Sequence, residues 1–156
     1  MWFKRKKATE VYVMSREAAV QYCRDRHREE SVIISISDPH MHYDEEPFCT
    51  EENRVMDILP LCFCDAEEPG KDVYGIDVEE DDLMRDEDAR KVARFVLENR
   101  DKRIIVHCDA GISRSAGVGA AITSYFTGDA RVFFESGRYE PNMWCFSKTM
   151  AALIEG

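Results

Sequence analysis

One apolar run, followed at once by a glycine-containing loop and a helix of small residues, constrains the fold of this chain most. Residues 103–107 (RIIVH) predict a buried strand, because the middle of the run is wholly apolar. Residues 113–126 predict a helix rich in Ala and Gly, which can lie close against a sheet. A strand that passes through a short loop into a helix is typical of layered α/β folds.

The rest of the chain repeats this alternation. Apolar or β-branched runs predict further strands at 10–14, 31–37 and 59–64. Apolar faces at helical spacing, with capping residues before them, predict helices at 15–29, 86–99 and 141–153. Residues 72–78 fit a strand or a loop, and residues 55–58 fit a helical turn or an approach to the sheet. The predicted fold class is α/β, with a central, mostly parallel sheet flanked by helices.

Length, composition and charge limit the domain count and the partners. The 156 residues, 44% hydrophobic and 33% charged, predict one globular domain over 1–156, with residues 1–9 as a frayed end. Residues 66–85 are interpreted as an acidic loop or insertion, because 65–88 holds twelve acids and two bases. A net charge of −10 argues against nucleic acid as the partner. We expect a cytoplasmic protein that does not bind membranes, since no long apolar run and no signal segment is present.

The loop between the central strand and its helix combines a candidate nucleophile with groups that can bind an anion. The pattern H-C-x5-R-S runs from His107 through Cys108 to Arg114 and Ser115. A helix N-terminus and a curled loop both point backbone N–H groups at an anion, and such surroundings favour a thiolate over a thiol. The planar guanidinium of Arg114 can bind two phosphate oxygens at once. The pattern therefore indicates attack of a cysteine on phosphorus, and a buried cysteine beside an incidental arginine is the weaker interpretation.

These residues resemble the protein tyrosine phosphatase superfamily, in particular its compact dual-specificity branch and the small microbial members of that branch. The resemblance is strongest over 107–121, and it extends to 31–39, to 59–65 and to the pair at 141–142. It implies that Cys108 is the nucleophile and forms a phosphocysteine, with no metal and no other cofactor. It also implies that Ser115 assists release of the cysteine and that His107 supports the loop. The phosphate would be bound by the loop residues Asp109, Ala110, Gly111, Ile112, Ser113, Arg114 and Ser115.

The sequence offers several candidates for the acid that protonates the leaving oxygen. Asp65 is the first choice, because it directly follows a predicted strand and because Phe63-Cys64-Asp65 resembles the family's aromatic-x-Asp. Asp77 is the second choice, since it ends a possible strand and lies nearer to Cys108 in sequence. Asp81 and Asp82 come third. Each of these carboxylates could instead be a solvated surface group.

The expected function is hydrolysis of phosphate monoesters in phosphorylated proteins or peptides by a monomeric enzyme. Phosphotyrosine is the expected substrate, with or without phosphoserine and phosphothreonine. One alternative is a phosphate-binding module with little turnover, which would keep the loop but lack a working acid. Another alternative is a phosphatase that acts on a non-protein phosphate.

Overall fold

The computed structural model describes residues 8–156, which form a parallel sheet with helices on both faces. The elements follow one another in this order: β1 (Val11–Ser15), α1 (Arg16–Arg24), β2 (Ser31–Ser37), β3 (Val55–Cys62), β4 (Gly70–Lys71), β5 (Asp77–Val78), a 3-10 helix (Glu80–Asp82), α2 (Asp86–Glu98), β6 (Arg103–Cys108), α3 (Arg114–Thr127), α4 (Arg131–Glu135) and α5 (Met143–Glu155). The larger sheet has the order β1-β6-β2-β3, and its three pairings are all parallel. The predicted α/β class with a mostly parallel sheet is confirmed.

The two central strands, β2 and β6, are buried because apolar side chains leave from both of their faces. On one face, Ile34 and Val106 pack with α2, α3 and α5. On the other face, Ile33 and Ile105 pack with Cys23 of α1. Burial on both faces explains why these strands read as continuous apolar runs rather than as alternating ones.

Because the strands are parallel, their carboxyl ends meet at one edge of the sheet. The register pairs Ser15 at the end of β1 with Cys108 at the end of β6. It also pairs Ser35, near the end of β2, with His107. Loops that leave this edge are where ligands bind in open α/β sheets.

The first helix is shorter than the predicted 15–29. It begins as expected, with the Ser15 side chain accepting a hydrogen bond from the backbone N–H of Ala18. It ends at Arg24, because Asp25 adopts an extended conformation. The ring of His27 stacks on that of Tyr22, with 3.7 Å between the ring centres, and residues 25–30 form a loop before β2.

The acidic segment 66–85 contains a short hairpin rather than a continuous strand. Strands β4 and β5 pair antiparallel, and the residues between them turn around Asp72. One carboxylate oxygen of Asp72 accepts hydrogen bonds from the backbone N–H groups of Tyr74 and Ile76, both at 2.9 Å. This side-chain turn explains why 73–76 is not a strand.

Two further elements differ from the sequence-based expectation. Strand β3 covers 55–62, so residues 55–58 belong to the sheet and the strand ends before Phe63. The short helix α4 lies over 131–135, where no helix was predicted. The predicted fraying of 1–9 falls largely outside the described residues. Within 8–156, no helix has the length and apolar character needed to cross a membrane.

Candidate active site

The loop between β6 and α3 lies against the end of β1, and a glycine makes this approach possible. Gly111 has a φ of +74°, in the region that side chains disfavour. A Cβ atom on Gly111 would lie 2.4 Å from the backbone carbon of Met14. Both the conformation and the close contact therefore require glycine in the middle of the loop.

The sulfur of Cys108 lies at the base of this loop, with two hydrogen-bonding groups around it. Cys108 is 2% exposed. Its Sγ lies 3.0 Å from the Ser115 hydroxyl and accepts a hydrogen bond from the Gly111 N–H at 3.3 Å. A thiolate can only accept, so in that state both neighbours donate to the sulfur. The arrangement stabilises negative charge on Cys108.

His107 is fully buried and fixes the carbonyl of Cys108. Its Nδ1 lies 3.1 Å from the Cys108 carbonyl oxygen, and its Nε2 lies 2.6 Å from the Ser35 hydroxyl. Because a carbonyl only accepts, we assign the proton to Nδ1, and Nε2 accepts from Ser35. Burial lowers the pKa of His107 to about 4, so the ring is neutral at physiological pH. His107 thus links the Cys108 carbonyl to Ser35 near the end of β2.

Arg114 crosses behind the loop and is held in place by the ends of two other strands. It is 1% exposed. Its Nη1 donates to the Phe63 carbonyl at 2.8 Å and lies 3.5 Å from a carboxylate oxygen of Asp38. Burial opposes its charge, but the Cys108 sulfur and the surrounding carboxylates, led by that of Asp65, raise the pKa of Arg114 above its usual value. Arg114 is therefore a fixed positive charge beside Cys108.

Asp65 lies beside this arginine, three residues beyond the end of β3. The residue is 7% exposed. Its Oδ1 accepts hydrogen bonds from the Ser113 hydroxyl at 2.8 Å and from the Asn142 amide at 2.9 Å. Its Oδ2 lies 3.9 Å from Arg114 Nε. Within 8–156, Oδ1 accepts both of these hydrogen bonds and Oδ2 accepts none.

The other candidate acids lie elsewhere. Asp77 is exposed on β5, where its carboxylate is hydrogen-bonded to Lys71 at 2.6 Å. Asp81 and Asp82 are exposed on the 3-10 helix, and the carboxylate of Asp82 accepts from the Glu79 N–H. Of the four carboxylates weighed from the sequence, only Asp65 contacts the loop.

Sequence reasoning missed Asp38, whose carboxylate lies against Arg114. Its side chain is wholly buried, and its Oδ2 has no hydrogen-bond partner within 8–156. Asp38 directly follows β2, just as Asp65 lies beyond β3. The rule that carboxyl ends of parallel strands share an edge could have identified it. A buried carboxylate next to a buried guanidinium keeps the guanidinium oriented and charged.

The entrance beside the loop is a cleft of about 630 Å³. It is lined by ten residues from α1, the loop after β2, the hairpin and the loop between β6 and α3: Arg16, Glu17, Val20, Met41, His42, Tyr43, Asp44, Glu45, Tyr74 and Asp109. Among these lining residues, Asp109 belongs to the loop between β6 and α3, and it directly follows Cys108 in sequence.

Solved structures with the same fold are phosphatases or phosphatase-like proteins. PTPMT1 in complex with PI(5)P shares 15% identity and has a TM-score of 0.55, with 99% of this chain and 96% of that chain covered. A human tyrosine phosphatase-like serine/threonine/tyrosine-interacting protein shares 17% identity at a TM-score of 0.57, with 97% and 95% covered. DUSP15 shares 17% at 0.56, with 95% and 85% covered. No family model and no curated protein sequence matches the chain.

These likenesses show that the chain has the fold of the cysteine-dependent and dual-specificity phosphatases. Because the identities lie below 20%, the likeness concerns the fold, and the chemistry depends on the site itself.

Proposed function

We propose that this chain is a phosphatase that hydrolyses phosphate monoesters of proteins through a phosphocysteine on Cys108. One observation carries the proposal. A nearly fully buried cysteine sulfur, with two hydrogen-bonding neighbours, lies below a helix N-terminus and beside a buried arginine fixed by surrounding carboxylates. This combination binds a phosphate dianion and presents a thiolate to its phosphorus.

In the first step, the phosphate is bound by backbone N–H groups of the loop 109–114 and by Arg114. The Cys108 thiolate attacks phosphorus, and the bond from phosphorus to the ester oxygen breaks. Asp65 donates a proton from Oδ2 to the leaving oxygen. Arg114 and the loop stabilise the charge that develops on the phosphoryl oxygens.

In the second step, water attacks the phosphocysteine. The Asp65 carboxylate takes a proton from this water, which restores the acid. The phosphorus–sulfur bond breaks, and the Ser115 hydroxyl, 3.0 Å from Cys108 Sγ, stabilises the departing thiolate by a hydrogen bond. Inorganic phosphate then leaves.

The proposed substrate is phosphotyrosine in a protein or peptide, with or without phosphoserine and phosphothreonine. The exposed acids at the entrance, among them Glu17, Asp44 and Glu45, disfavour strongly anionic ligands. The solved PTPMT1 structure holds PI(5)P, so a phosphorylated lipid is the competing substrate that the test includes.

The test is turnover of para-nitrophenyl phosphate, phosphotyrosine and phosphothreonine peptides, and PI(5)P in vesicles, by the parent and by Cys108→Ser. We expect phosphopeptide turnover in the parent and none in Cys108→Ser. Cys62→Ser, which changes an exposed cysteine, is the matched control and should keep parent activity. Tight phosphopeptide binding without turnover in the parent would instead indicate a phosphate-binding module. Turnover of the lipid alone would contradict a protein substrate.

A further inference from the structure

Asp109, the residue after the nucleophile, is the point where several parts of the entrance are joined. Its Oδ1 accepts a hydrogen bond from the Tyr43 hydroxyl at 2.6 Å. Its Oδ2 accepts from the Tyr74 hydroxyl at 3.2 Å and lies 3.4 Å from Arg114 Nη2. The Arg16 guanidinium lies 4.0 Å from Oδ1. One carboxylate thus joins the catalytic loop to α1, to the loop after β2 and to the hairpin.

Tyr43 is held by contacts with Asp38, Asp109 and Arg16. Its hydroxyl accepts from the Asp38 N–H at 2.9 Å while it donates to Asp109. The Arg16 guanidinium lies 3.6 Å from the centre of its ring. Burial, and then the hydrogen bond to Asp109, raise the pKa of Tyr43 to about 12, so the phenol stays a donor at physiological pH. Tyr43 is therefore a fixed wall of the cleft.

Tyr74 also lines the cleft, and its position depends more on Asp109. It lies in the hairpin turn, where the neighbouring Val73 N–H donates to the Asp65 carbonyl at 3.0 Å. The side chain is otherwise open, and the residue is 49% exposed. Within 8–156, Asp109 is the hydrogen-bond partner of its hydroxyl. The hydrogen bond to Asp109 thus fixes the position of an aromatic ring that is otherwise exposed to solvent.

With a phosphate bound at the loop after Cys108, the part of a substrate beyond the phosphate would meet the cleft that Tyr43 and Tyr74 line. A phosphotyrosine places an aromatic ring there, whereas a phosphothreonine places only its short side chain and then its main chain. Aromatic pairs, and contacts with a methionine such as Met41, which also lines the cleft, favour the aromatic ring over the aliphatic side chain.

We propose that Asp109 is a positioning residue that holds Tyr43 and Tyr74 at the entrance, and that these two tyrosines select phosphorylated aromatic over phosphorylated aliphatic side chains. This inference rests on the proposed function, because it assumes that the phosphate binds at Cys108. It adds which residues would determine the substrate preference of that site.

The test measures binding, so that it does not require turnover. In the Cys108→Ser background, calorimetry compares two peptides of one sequence that carry phosphotyrosine or phosphothreonine. We expect phosphotyrosine to bind about tenfold more tightly, and Tyr74→Ala to reduce this preference to about twofold. Tyr74→Phe keeps the ring but loses its hydrogen bond to Asp109, and we expect the preference for phosphotyrosine to fall by about threefold. Asp109→Asn should lower the preference further than Tyr74→Phe, since it weakens both anchors.

Tyr125→Ala is the matched control, because Tyr125 is a similarly exposed tyrosine on α3, at 40%. It should leave the preference unchanged. The inference is wrong if the two peptides bind equally, or if Tyr74→Ala and Asp109→Asn keep the parent preference. Failure of both peptides to bind would also overturn it. Peptide binding with the expected preference, but no turnover in the protein with Cys108, would overturn only the proposed function.

Discussion

The buried His107 is expected to make the stability of the protein fall as the pH falls. Burial lowers its pKa from 6.5 to about 4 in the folded state. Between these values the unfolded chain binds a proton that the folded protein does not, so the unfolded state gains stability. The contribution of the neutral His107 to the free energy of unfolding is fully present above pH 6.5 and is lost as the pH falls towards 4. At roughly 1.36 kcal/mol per pKa unit, the total is about 3 kcal/mol, of which about 2 kcal/mol is lost by about pH 5.

Urea unfolding of the parent and of His107→Asn, at about pH 7 and about pH 5, measures this contribution. Carboxylates titrate in both proteins, so the difference between the two pH dependences isolates the imidazole. We expect the free energy of unfolding of the parent to fall by about 2 kcal/mol more than that of the variant. His42→Asn, at an exposed histidine, should behave as the parent does. Equal pH dependences in the parent and His107→Asn would refute a neutral, buried His107.

Three further predictions concern the chemical steps and the loop. Asp65→Asn should lower kcat for a phosphotyrosine peptide by about 100-fold, whereas Asp77→Asn should match the parent; steady-state kinetics of the three proteins decide this. Ser115→Ala should slow release of the cysteine by about tenfold, which stopped-flow measurements would detect as a burst of product before a slow steady state. Gly111→Ala should bind inorganic phosphate at least about tenfold more weakly in calorimetry, because its Cβ would meet the Met14 backbone at 2.4 Å. Unchanged phosphate affinity in Gly111→Ala would contradict the loop geometry.

The sequence predicted the parts of the fold that depend on local pattern. The central strand Arg103–Cys108 and the helix Arg114–Thr127 are found within a residue or two of their predicted bounds. Their apolar runs and the loop between them are short-range signals. The hairpin was not predictable in this way, because the side chain of Asp72, rather than any periodicity, forms its turn.

The candidate site likewise contains residues that a local sequence pattern identifies and residues that it does not. Cys108 and Arg114 could be identified because one short loop carries both. Asp65 could only be ranked against Asp77, since its position depends on where β3 ends and on contacts with Ser113 and Asn142. Asp38 contacts Arg114 across 76 residues of sequence, and no local pattern marks such a pair. Contacts between segments distant in sequence therefore had to come from the structure.

The central claim is that phosphate is transferred to Cys108, and trapping of the intermediate tests it most directly. The parent and Asp65→Asn are mixed rapidly with phosphotyrosine peptide, quenched in acid and digested, and the peptide that contains Cys108 is examined by mass spectrometry. We expect a phosphoryl group on Cys108 in the parent. In Asp65→Asn we expect it to persist longer, since activation of water is slowed. Product release at a measurable rate with no phosphoryl group on Cys108, or with the group on another residue, would contradict the account.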